Sequence, residues 1–268
     1  MYTVGFSQLA TGIAGLAGTY LLIVGVKFGY LRLNGRILLD RALRRREPPK
    51  GKTTQARITF CSPVLNPKMA WDILETGLDE LDEPVERLLY LNTGDNALVA
   101  ARLFNRLIQE VDTEYVAFCH QDWRPIDRDW VEETLAVFAA NPRCGMVAQI
   151  GVAEDKESLG GRILDPHGYN GRAGSHRLHA PDEQCFVLRT ATVREFPFDE
   201  ANLPEFHYYA VDYAYELQRR GGEIWSTPAL AYHGSAAGSL NSPSFKRARA
   251  ILRAKYGPGA VRATTGWI

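Results

Sequence analysis

Tyr115-Val-Ala-Phe-Cys-His-Gln-Asp122 is the stretch that decides the fold, because a short apolar run leads without a break into three polar residues. Two earlier runs have the same apolar character, Arg57-Ile-Thr-Phe-Cys-Ser62 and Arg87-Leu-Leu-Tyr-Leu91. Short apolar runs of this kind are typical of strands that are buried on both faces of a sheet. We therefore predict three buried strands, each followed by polar residues.

Helical patterns separate these three strands. Asn66 followed by Pro67 predicts a helix start, since asparagine caps a helix and proline fits its first turn. Asn96 is a candidate cap for a second helix, which carries Leu98, Leu103, Leu107 and Ile108. The order β-α-β-α-β predicts an α/β fold with an open, mostly parallel sheet, right-handed crossovers and flanking helices.

The alternation continues after Asp122. The pattern predicts helices at residues 130–140, 211–220 and 244–256, and strands at residues 145–152, 184–189, 224–225 and 229–232. Residues 153–181 are polar and rich in glycine and show no clear period. We interpret them as a long loop that is either functional, closing over a bound ligand, or disordered.

Polar residues follow all three buried strands, at 63–66, 92–96 and 120–123. In open parallel sheets ligands bind beyond the carboxyl ends of the strands, so these residues indicate a nucleotide site. Asp122 is a candidate ligand for Mg²⁺ or Mn²⁺ at a diphosphate, with a turn cap as the alternative. His233 follows a strand and precedes Gly-Ser-Ala-Ala-Gly-Ser, whose backbone amides suit phosphate oxygens. The alternative for His233 is a structural histidine.

Five segments together resemble a family 2-like glycosyltransferase with the GT-A fold. The resemblance is to the "glycosyltransferase-like family" branch, which carries His-Gln-Asp in place of Asp-x-Asp, and it covers residues 58–239. The segments are Tyr115 to Asp122, Asp182-Glu-Gln-Cys-Phe-Val-Leu-Arg189, Phe198-Asp-Glu200, Phe206-His-Tyr-Tyr-Ala-Val-Asp212 and Tyr232-His-Gly-Ser235. It implies a Rossmann-like GT-A domain that moves a sugar from a nucleotide-diphosphate sugar to a glycan or lipid-linked acceptor.

The resemblance also implies roles for individual residues. The donor-binding positions are Pro63 and Asn66 for the nucleoside, Asn92 or Asp95 for the base, and His120, Gln121 and Asp122 for the metal and diphosphate. Asp122 and His233 match the metal positions, and the implied cofactor is Mg²⁺ or Mn²⁺.

The catalytic base is open at this point. Inverting members use an acid from a Glu-Asp-x-Asp run to deprotonate the acceptor hydroxyl, whereas this chain has Tyr209-Ala-Val-Asp212. Asp212 matches the acidic position that remains, although an acid near a helix start is also a structural feature. Glu183 and Asp182 are the alternatives.

The first 26 residues contain no charged side chain, and residues 6–26 are long enough for a helix that spans a bilayer. Small residues in this segment suit close helix contact, which allows a homo-oligomer through the membrane helix. A cleaved signal peptide is less favoured because no basic residue precedes the apolar run. We predict a single-pass or monotopic anchor at 1–26.

Residues 27–52 carry nine basic residues against two acidic ones. This predicts a basic juxtamembrane helix and linker on an anionic leaflet, and a cytoplasmic catalytic domain. The remaining divisions are a GT-A domain at 53–240 and a basic C-terminal helix and tail at 241–268. The whole chain has 31 basic and 31 acidic residues and a net charge of zero, which argues against a nucleic-acid partner.

Two rival functions remain. A non-catalytic protein with a GT-A body would hold a nucleotide-sugar or a partner enzyme without turnover, and Ala210 in place of an acid favours it. A nucleotidyltransferase would need a glycine-rich basic loop after the first strand, and residues 62–66 contain none.

Overall fold

The computed structural model describes residues 55–94, 97–166, 168–234 and 240–268. Helix α1 runs through three consecutive segments, Pro67–Met69, Ala70–Glu75 and Thr76–Leu78, of which the middle one is a π-helix. The other helices are α2 (Ala100–Leu107), α3 (Trp130–Ala140), α4 (Thr190–Glu195), α5 (Tyr209–Arg219) and α6 (Pro243–Tyr256). The strands are β1 (Ile58–Val64), β2 (Glu86–Leu91), β3 (Tyr115–Cys119), β4 (Trp123–Pro125), β5 (Cys144–Ala148), β6 (Ile150–Ala153), β7 (Leu159–Asp165), β8 (Gly168–Arg172), β9 (Arg177–Pro181), β10 (Cys185–Arg189), β11 (Glu223–Ser226), β12 (Leu230–His233), β13 (Arg262–Ala263) and β14 (Gly266–Trp267).

One large sheet has the strand order β2-β1-β3-β10-β5-β11-β9-β6-β7-β12-β4, with β8 paired to β7. The predicted parallel unit of β2, β1 and β3 is confirmed. Strand β10, however, is antiparallel to both β3 and β5, and β6 is antiparallel to β7 and β9. The sheet is therefore mixed rather than mostly parallel. Parallel neighbours need a long crossover, and the short connection between β6 and β7 allows only a hairpin-like return.

Alternate residues of the central strands point into two separate cores. Val116 and Phe118 of β3 pack with α2, α5 and α6, whereas Ala117 and Cys119 pack with α1 and α3. This is the period of two that a strand imposes on its side chains. Because both faces are covered by helices, all five residues of β3 are buried. Polar side chains can follow β3 only where the sheet ends, and this places His120 and Asp122.

Caps were predicted for both α1 and α2, and the described residues test only the first prediction. The Asn66 side chain accepts a hydrogen bond from the Met69 amide at 3.2 Å, which confirms the predicted cap of α1. Helix α2 begins at Ala100, and within the described part of the chain Val99 precedes it without a side-chain cap. The cap predicted at Asn96 lies outside the described residues.

The prediction of a long loop at residues 153–181 is wrong, since β7, β8 and β9 lie there. Glycines hide the strand pattern because they allow backbones to approach closely. A Cβ atom on Gly161 (φ +93°) would lie 2.2 Å from the Gln149 carbonyl oxygen, and one on Gly171 would lie 2.0 Å from the Gly161 oxygen. A strand with glycine at its contact positions lacks the apolar alternation that identifies strands in a sequence. The segment is part of the sheet and not a lid.

Helix α6 packs on one of the two cores, the one that contains Val116 and Phe118. Phe245, Ala248 and Leu252 are buried there together with Val261 and Ile268 from the chain end. The Ser242 side chain caps the helix by accepting from the Phe245 amide at 3.1 Å. Residues 241–268 therefore contribute to the core of the described body.

The predicted anchor at 1–26 and the basic segment at 27–52 lie outside the described residues. Among the helices that the structure does describe, none combines the length and the apolar character needed to cross a bilayer.

A substitution at Gly161 tests the close approach of β7 to Gln149. In Gly161→Ala the new methyl group meets the main-chain carbonyl of Gln149. The Gln149 side chain donates hydrogen bonds to the carbonyl oxygens of Arg162 and Ala229, and these bonds hold the residue in place. We expect a loss of about 3 kcal/mol in the free energy of unfolding, measured by urea denaturation.

The matched control is Gly174→Ala. Gly174 also has a positive φ of +90°, but a Cβ atom at this position would lie 3.9 Å from its nearest neighbour, His176 Nε2. It should lose only about 1 kcal/mol, the cost of the left-handed backbone. Equal losses in the two variants would contradict the steric explanation.

Candidate functional site

Three side chains meet at the carboxyl end of β3. His120 and Asp122 follow this strand, and His233 ends β12, whose register places it opposite Trp123. His233 Nε2 lies 3.4 Å from Asp122 Oδ1 and 3.4 Å from His120 Nδ1. The three potential ligand atoms all lie within 4.8 Å of one another. We call this group the His-Asp-His cluster.

Backbone hydrogen bonds hold the cluster together. The Gly234 amide donates to the Asp122 carbonyl oxygen at 2.7 Å, which ties the end of β12 to the turn after β3. A Cβ atom on Gly234 would lie 3.3 Å from the Asp122 Cβ, so glycine suits this close approach. The His120 amide donates to the Gln184 carbonyl oxygen at 2.9 Å. Three separate segments are thereby fixed at one point.

The donor set of this cluster fits a divalent metal ion. Two imidazole nitrogens and one carboxylate oxygen can converge on a cation, and further positions remain for water or a bound ligand. Imidazole is a weak choice for Mg²⁺, which takes oxygen ligands, whereas Mn²⁺ accepts a mixed set. Both residues predicted to be metal ligands, Asp122 and His233, belong to the cluster, and His120 joins them.

The two histidines have opposite electrostatic surroundings. Burial and, to a lesser extent, the charge of His233 lower the pKa of His120 to about 4. Burial also opposes protonation of His233, but the hydrogen bond and the charge of Asp122 outweigh it and raise the pKa of His233. His120 is therefore neutral at pH 7, whereas the pKa of His233 is shifted in the opposite direction by Asp122.

Gln121 connects the loop after β3 to the loop after β1. Its Oε1 atom accepts hydrogen bonds from the Leu65 amide at 2.9 Å and the Asn66 amide at 2.8 Å. The side-chain oxygen is therefore used within the chain. Gln121 fixes the position of the loop on which the predicted nucleoside contact Asn66 stands.

The other predicted donor-binding residues have mainly structural contacts. Pro63 is buried within β1. The Asn92 side chain donates to the Leu98 carbonyl oxygen at 2.9 Å and accepts from the Leu98 amide at 2.7 Å, which closes the loop after β2. Of the two candidates for contact with the base, Asn92 thus uses its amide group on Leu98, and Asp95 lies outside the described residues.

The side chain of Glu183, which precedes β10 in the chain, lies at the start of α5. Its carboxylate accepts a hydrogen bond from the Ala210 amide at 3.3 Å. Burial raises the pKa of Glu183 to about 8, although the amides of Tyr208, Tyr209 and Ala210 counteract this rise. The resemblance leads one to expect an acid at position 210, at the start of α5. The carboxylate of Glu183, which comes from another segment, lies at this helix start.

Asp182 stands beside Glu183 and is held differently. Its carboxylate accepts from the Thr264 hydroxyl at 2.7 Å and from the Gln184 amide at 3.2 Å. Its negative charge also acts on both His120 and His233, in the direction that raises their pKa values. Asp182 adds negative potential to the cluster.

Asp212 belongs to a different group of charges. It is 3% exposed, and its carboxylate accepts from Lys255 Nζ at 2.9 Å and from the Tyr256 hydroxyl at 2.6 Å. Together with Asp199 it lines a cavity of about 560 Å³ on the α5–α6 side. Among the described residues, no residue of the His-Asp-His cluster lines this cavity. The contacts of Asp212 are those of a structural residue that joins α5 to α6.

Tyr209 is the residue of the site that the sequence did not reveal. Its hydroxyl lies 3.4 Å from His120 Nε2 and 3.2 Å from the Glu183 carbonyl oxygen. The signal was available in the run Tyr209-Ala-Val-Asp212, where a tyrosine directly precedes the missing acid. Tyr209 connects the cluster to the segment that carries Glu183.

No family model matches this sequence, and no curated protein matches it either. Among solved structures, the mannosyltransferase PcManGT from Pyrobaculum calidifontis, in complex with GDP-Man and Mn²⁺, is similar with a TM-score of 0.51 and 14% identity. That match covers 86% of this chain and 71% of the mannosyltransferase chain.

Two further structures have lower scores. GalNAc-T7 with UDP, GalNAc and Mn²⁺ has a TM-score of 0.49 and 10% identity, over 74% of this chain and 41% of its own. TarS from S. aureus in complex with UDP-GlcNAc has a TM-score of 0.48 and 12% identity, over 75% of this chain and 65% of its own. The mixed sheet, the flanking helices and the match to the mannosyltransferase agree, and this chain has the GT-A-type fold of a glycosyltransferase.

Proposed function

We propose that this protein is a metal-dependent glycosyltransferase that moves a sugar from a nucleotide-diphosphate sugar to a glycan or lipid-linked acceptor. The observation that carries the proposal is the His-Asp-His cluster at the carboxyl end of β3. In a GT-A-type fold this is the edge at which a nucleotide is expected. The similar mannosyltransferase was solved with GDP-Man and Mn²⁺.

The cluster supplies the metal site in this proposal. His120, Asp122 and His233 hold a divalent cation, for which the two imidazoles favour Mn²⁺ over Mg²⁺. The cation offsets the negative charge that develops on the leaving nucleoside diphosphate. Gln121 and Asn66 shape the loop that faces the nucleoside, because Gln121 fixes the amides at the end of β1.

Glu183 is the base in this proposal, and the transfer is inverting. Its raised pKa of about 8 suits proton transfer near neutral pH. The carboxylate accepts the proton of the acceptor hydroxyl while the hydroxyl oxygen attacks the anomeric carbon. Asp212 is not the base in this scheme, because Lys255 and Tyr256 hold its carboxylate.

The membrane location is also part of the proposal. The uncharged residues 1–26 anchor the protein, and the basic residues 27–52 keep the catalytic body on the cytoplasmic side. This arrangement brings the site near lipid-linked acceptors. Protease protection of the body in intact cells would support it, and digestion from outside would overturn it.

The rival is a protein that binds a nucleotide-sugar without turnover. Purified protein with Mn²⁺ and a panel of GDP- and UDP-sugars separates the two functions. Slow release of the free nucleoside diphosphate supports the transferase, since glycosyltransferases with no acceptor can pass the sugar to water. Tight nucleotide-sugar binding with no release from any donor, with or without candidate acceptors, supports the rival.

Asp122→Asn tests the metal site. Removal of the anionic ligand should weaken Mn²⁺ binding at least about 100-fold, as measured by electron paramagnetic resonance of free Mn²⁺. The matched control is Asp129→Asn, since Asp129 precedes α3 and makes no side-chain cap hydrogen bond to the described residues. Unchanged Mn²⁺ affinity in Asp122→Asn would show that the cluster is not the metal site.

Glu183→Gln tests the base. In the wild-type protein the carboxyl group keeps its proton below its pKa of about 8, so the transfer rate should rise with pH between 6 and 8. The Gln variant should lose this rise and about 100-fold or more of the rate, with Mn²⁺ affinity retained.

Asp212→Asn is the comparison for the base. It removes the ion pair with Lys255 and should cost about 2 kcal/mol in the free energy of unfolding, while the pH profile of the rate stays the same. A folded Asp212→Asn protein that has lost its pH profile, beside a fully active Glu183→Gln protein, would reverse the two assignments.

A further inference from the structure

Three side-chain amides are buried in the described part of the chain, those of Asn92, Gln149 and Gln184, which are 3%, 1% and 5% exposed. Asn92 uses both ends of its amide on the main chain of Leu98. Gln149 accepts from Trp130 Nε1 and donates to two main-chain carbonyls. The side-chain oxygen of Gln184, in contrast, is buried and has no hydrogen-bond partner among the described residues.

The main chain fixes Gln184 at the edge of the sheet that carries the His-Asp-His cluster. Its carbonyl oxygen accepts from the His120 amide at 2.9 Å, and its own amide donates to the Asp182 carboxylate at 3.2 Å. Strand β10 is antiparallel to β3, and this register, continued by one residue, places Gln184 opposite His120. Glu183 directly precedes it. Gln184 therefore lies between a member of the cluster and the proposed base.

The chemistry of the free oxygen limits what can satisfy it. A buried acceptor without a partner loses its hydrogen bonds to water and gains none in return, which costs free energy. Because Gln184 Oε1 is a carbonyl oxygen, its missing partner is a hydroxyl or an N–H group. At a ligand-binding edge of a sheet, the ligand can supply such a donor.

The proposed reaction places a donor of this kind beside Gln184. The diphosphate of the nucleotide-sugar lies at the cluster, and the acceptor hydroxyl lies at Glu183. The sugar ring must lie between them, because the hydroxyl attacks its anomeric carbon while the diphosphate leaves. Each free hydroxyl of this ring can donate a hydrogen bond to a neutral amide.

We propose that Gln184 is a sugar-binding residue, whose side-chain oxygen accepts a hydrogen bond from a hydroxyl of the sugar that is transferred. The inference rests on the proposed function. It assigns Gln184 to the sugar and not to the nucleotide or the metal ion. A site with a buried acceptor of this kind selects sugars that carry the matching hydroxyl, since a donor without it leaves the oxygen unpaired.

Gln184→Met is the test, because methionine keeps an unbranched side chain of similar length and removes the amide. The matched control is Thr190→Val. The Thr190 hydroxyl is likewise buried and without a partner among the described residues, but Thr190 follows the opposite end of β10. Calorimetric titration in Mn²⁺ compares a panel of GDP- and UDP-sugars with free GDP and UDP.

Gln184→Met should bind the nucleotide-sugar about 10-fold more weakly than the wild-type protein, the effect of one lost hydrogen bond. Its affinity for the corresponding free nucleotide should not change. Thr190→Val should match the wild-type protein for both ligands. An equal loss for nucleotide and nucleotide-sugar in Gln184→Met would overturn the assignment to the sugar.

Thermal unfolding of the ligand-free proteins is a second measurement. The group removed in Gln184→Met has no partner in the folded protein, so the melting temperature should stay the same or rise, as it should in Thr190→Val. A drop of several degrees in Gln184→Met alone would show that the amide is a structural group, and this would overturn the inference.

The titrations separate this inference from the proposed function. If the wild-type protein binds no nucleotide and no nucleotide-sugar of the panel, the proposed function fails. If the wild-type protein and Gln184→Met bind the same nucleotide-sugar equally, the proposed function stands and the role of Gln184 is wrong.

Discussion

The burial of β3 on both faces is the constraint on which the site depends. Helices cover both faces of this strand, so all five of its side chains are buried and a polar group there would lack contact with water. The chain can become polar only where the strand leaves the sheet, and His120 and Asp122 stand there. The amides of His120 and Gly234 then attach this point to the segment before β10 and to the end of β12. The cluster geometry therefore follows from the sheet.

The ionisable groups at this edge of the sheet have pKa values that are shifted in different directions. Burial lowers the pKa of His120 to about 4 and raises that of Glu183 to about 8, because enclosure disfavours the charged form of either group. Asp122 reverses this tendency at His233, whose pKa is raised. A neutral imidazole and a carboxyl group with a raised pKa thus lie near one another at one low-dielectric edge of the sheet. This pattern of opposed shifts is typical of functional sites.

The elements with local signals were predictable from the sequence. The strand at Tyr115–Cys119 and the helix at Trp130–Ala140 have the predicted bounds. The strand is a continuous apolar run, and the helix has apolar residues along its buried face. The strands within 153–181 were missed because glycine replaces side chains at their close contacts. The antiparallel position of β10 was missed because strand direction depends on which distant strands pair. Asp122 and His233, which were predicted as metal ligands, lie together in the cluster, and His120, which was assigned to the metal–diphosphate motif, lies beside them.

The position of Asp212 in the motif does not reveal which residues it contacts in the fold. Its partner Lys255 is 43 residues away in the chain, so no local pattern could reveal the ion pair. In three dimensions the Glu183 carboxylate reaches the helix start at Ala210 from another segment. The main chain of Glu183 also accepts from Tyr209, and Tyr209 contacts His120. The Tyr209 hydroxyl therefore connects the segment that carries Glu183 to the His-Asp-His cluster.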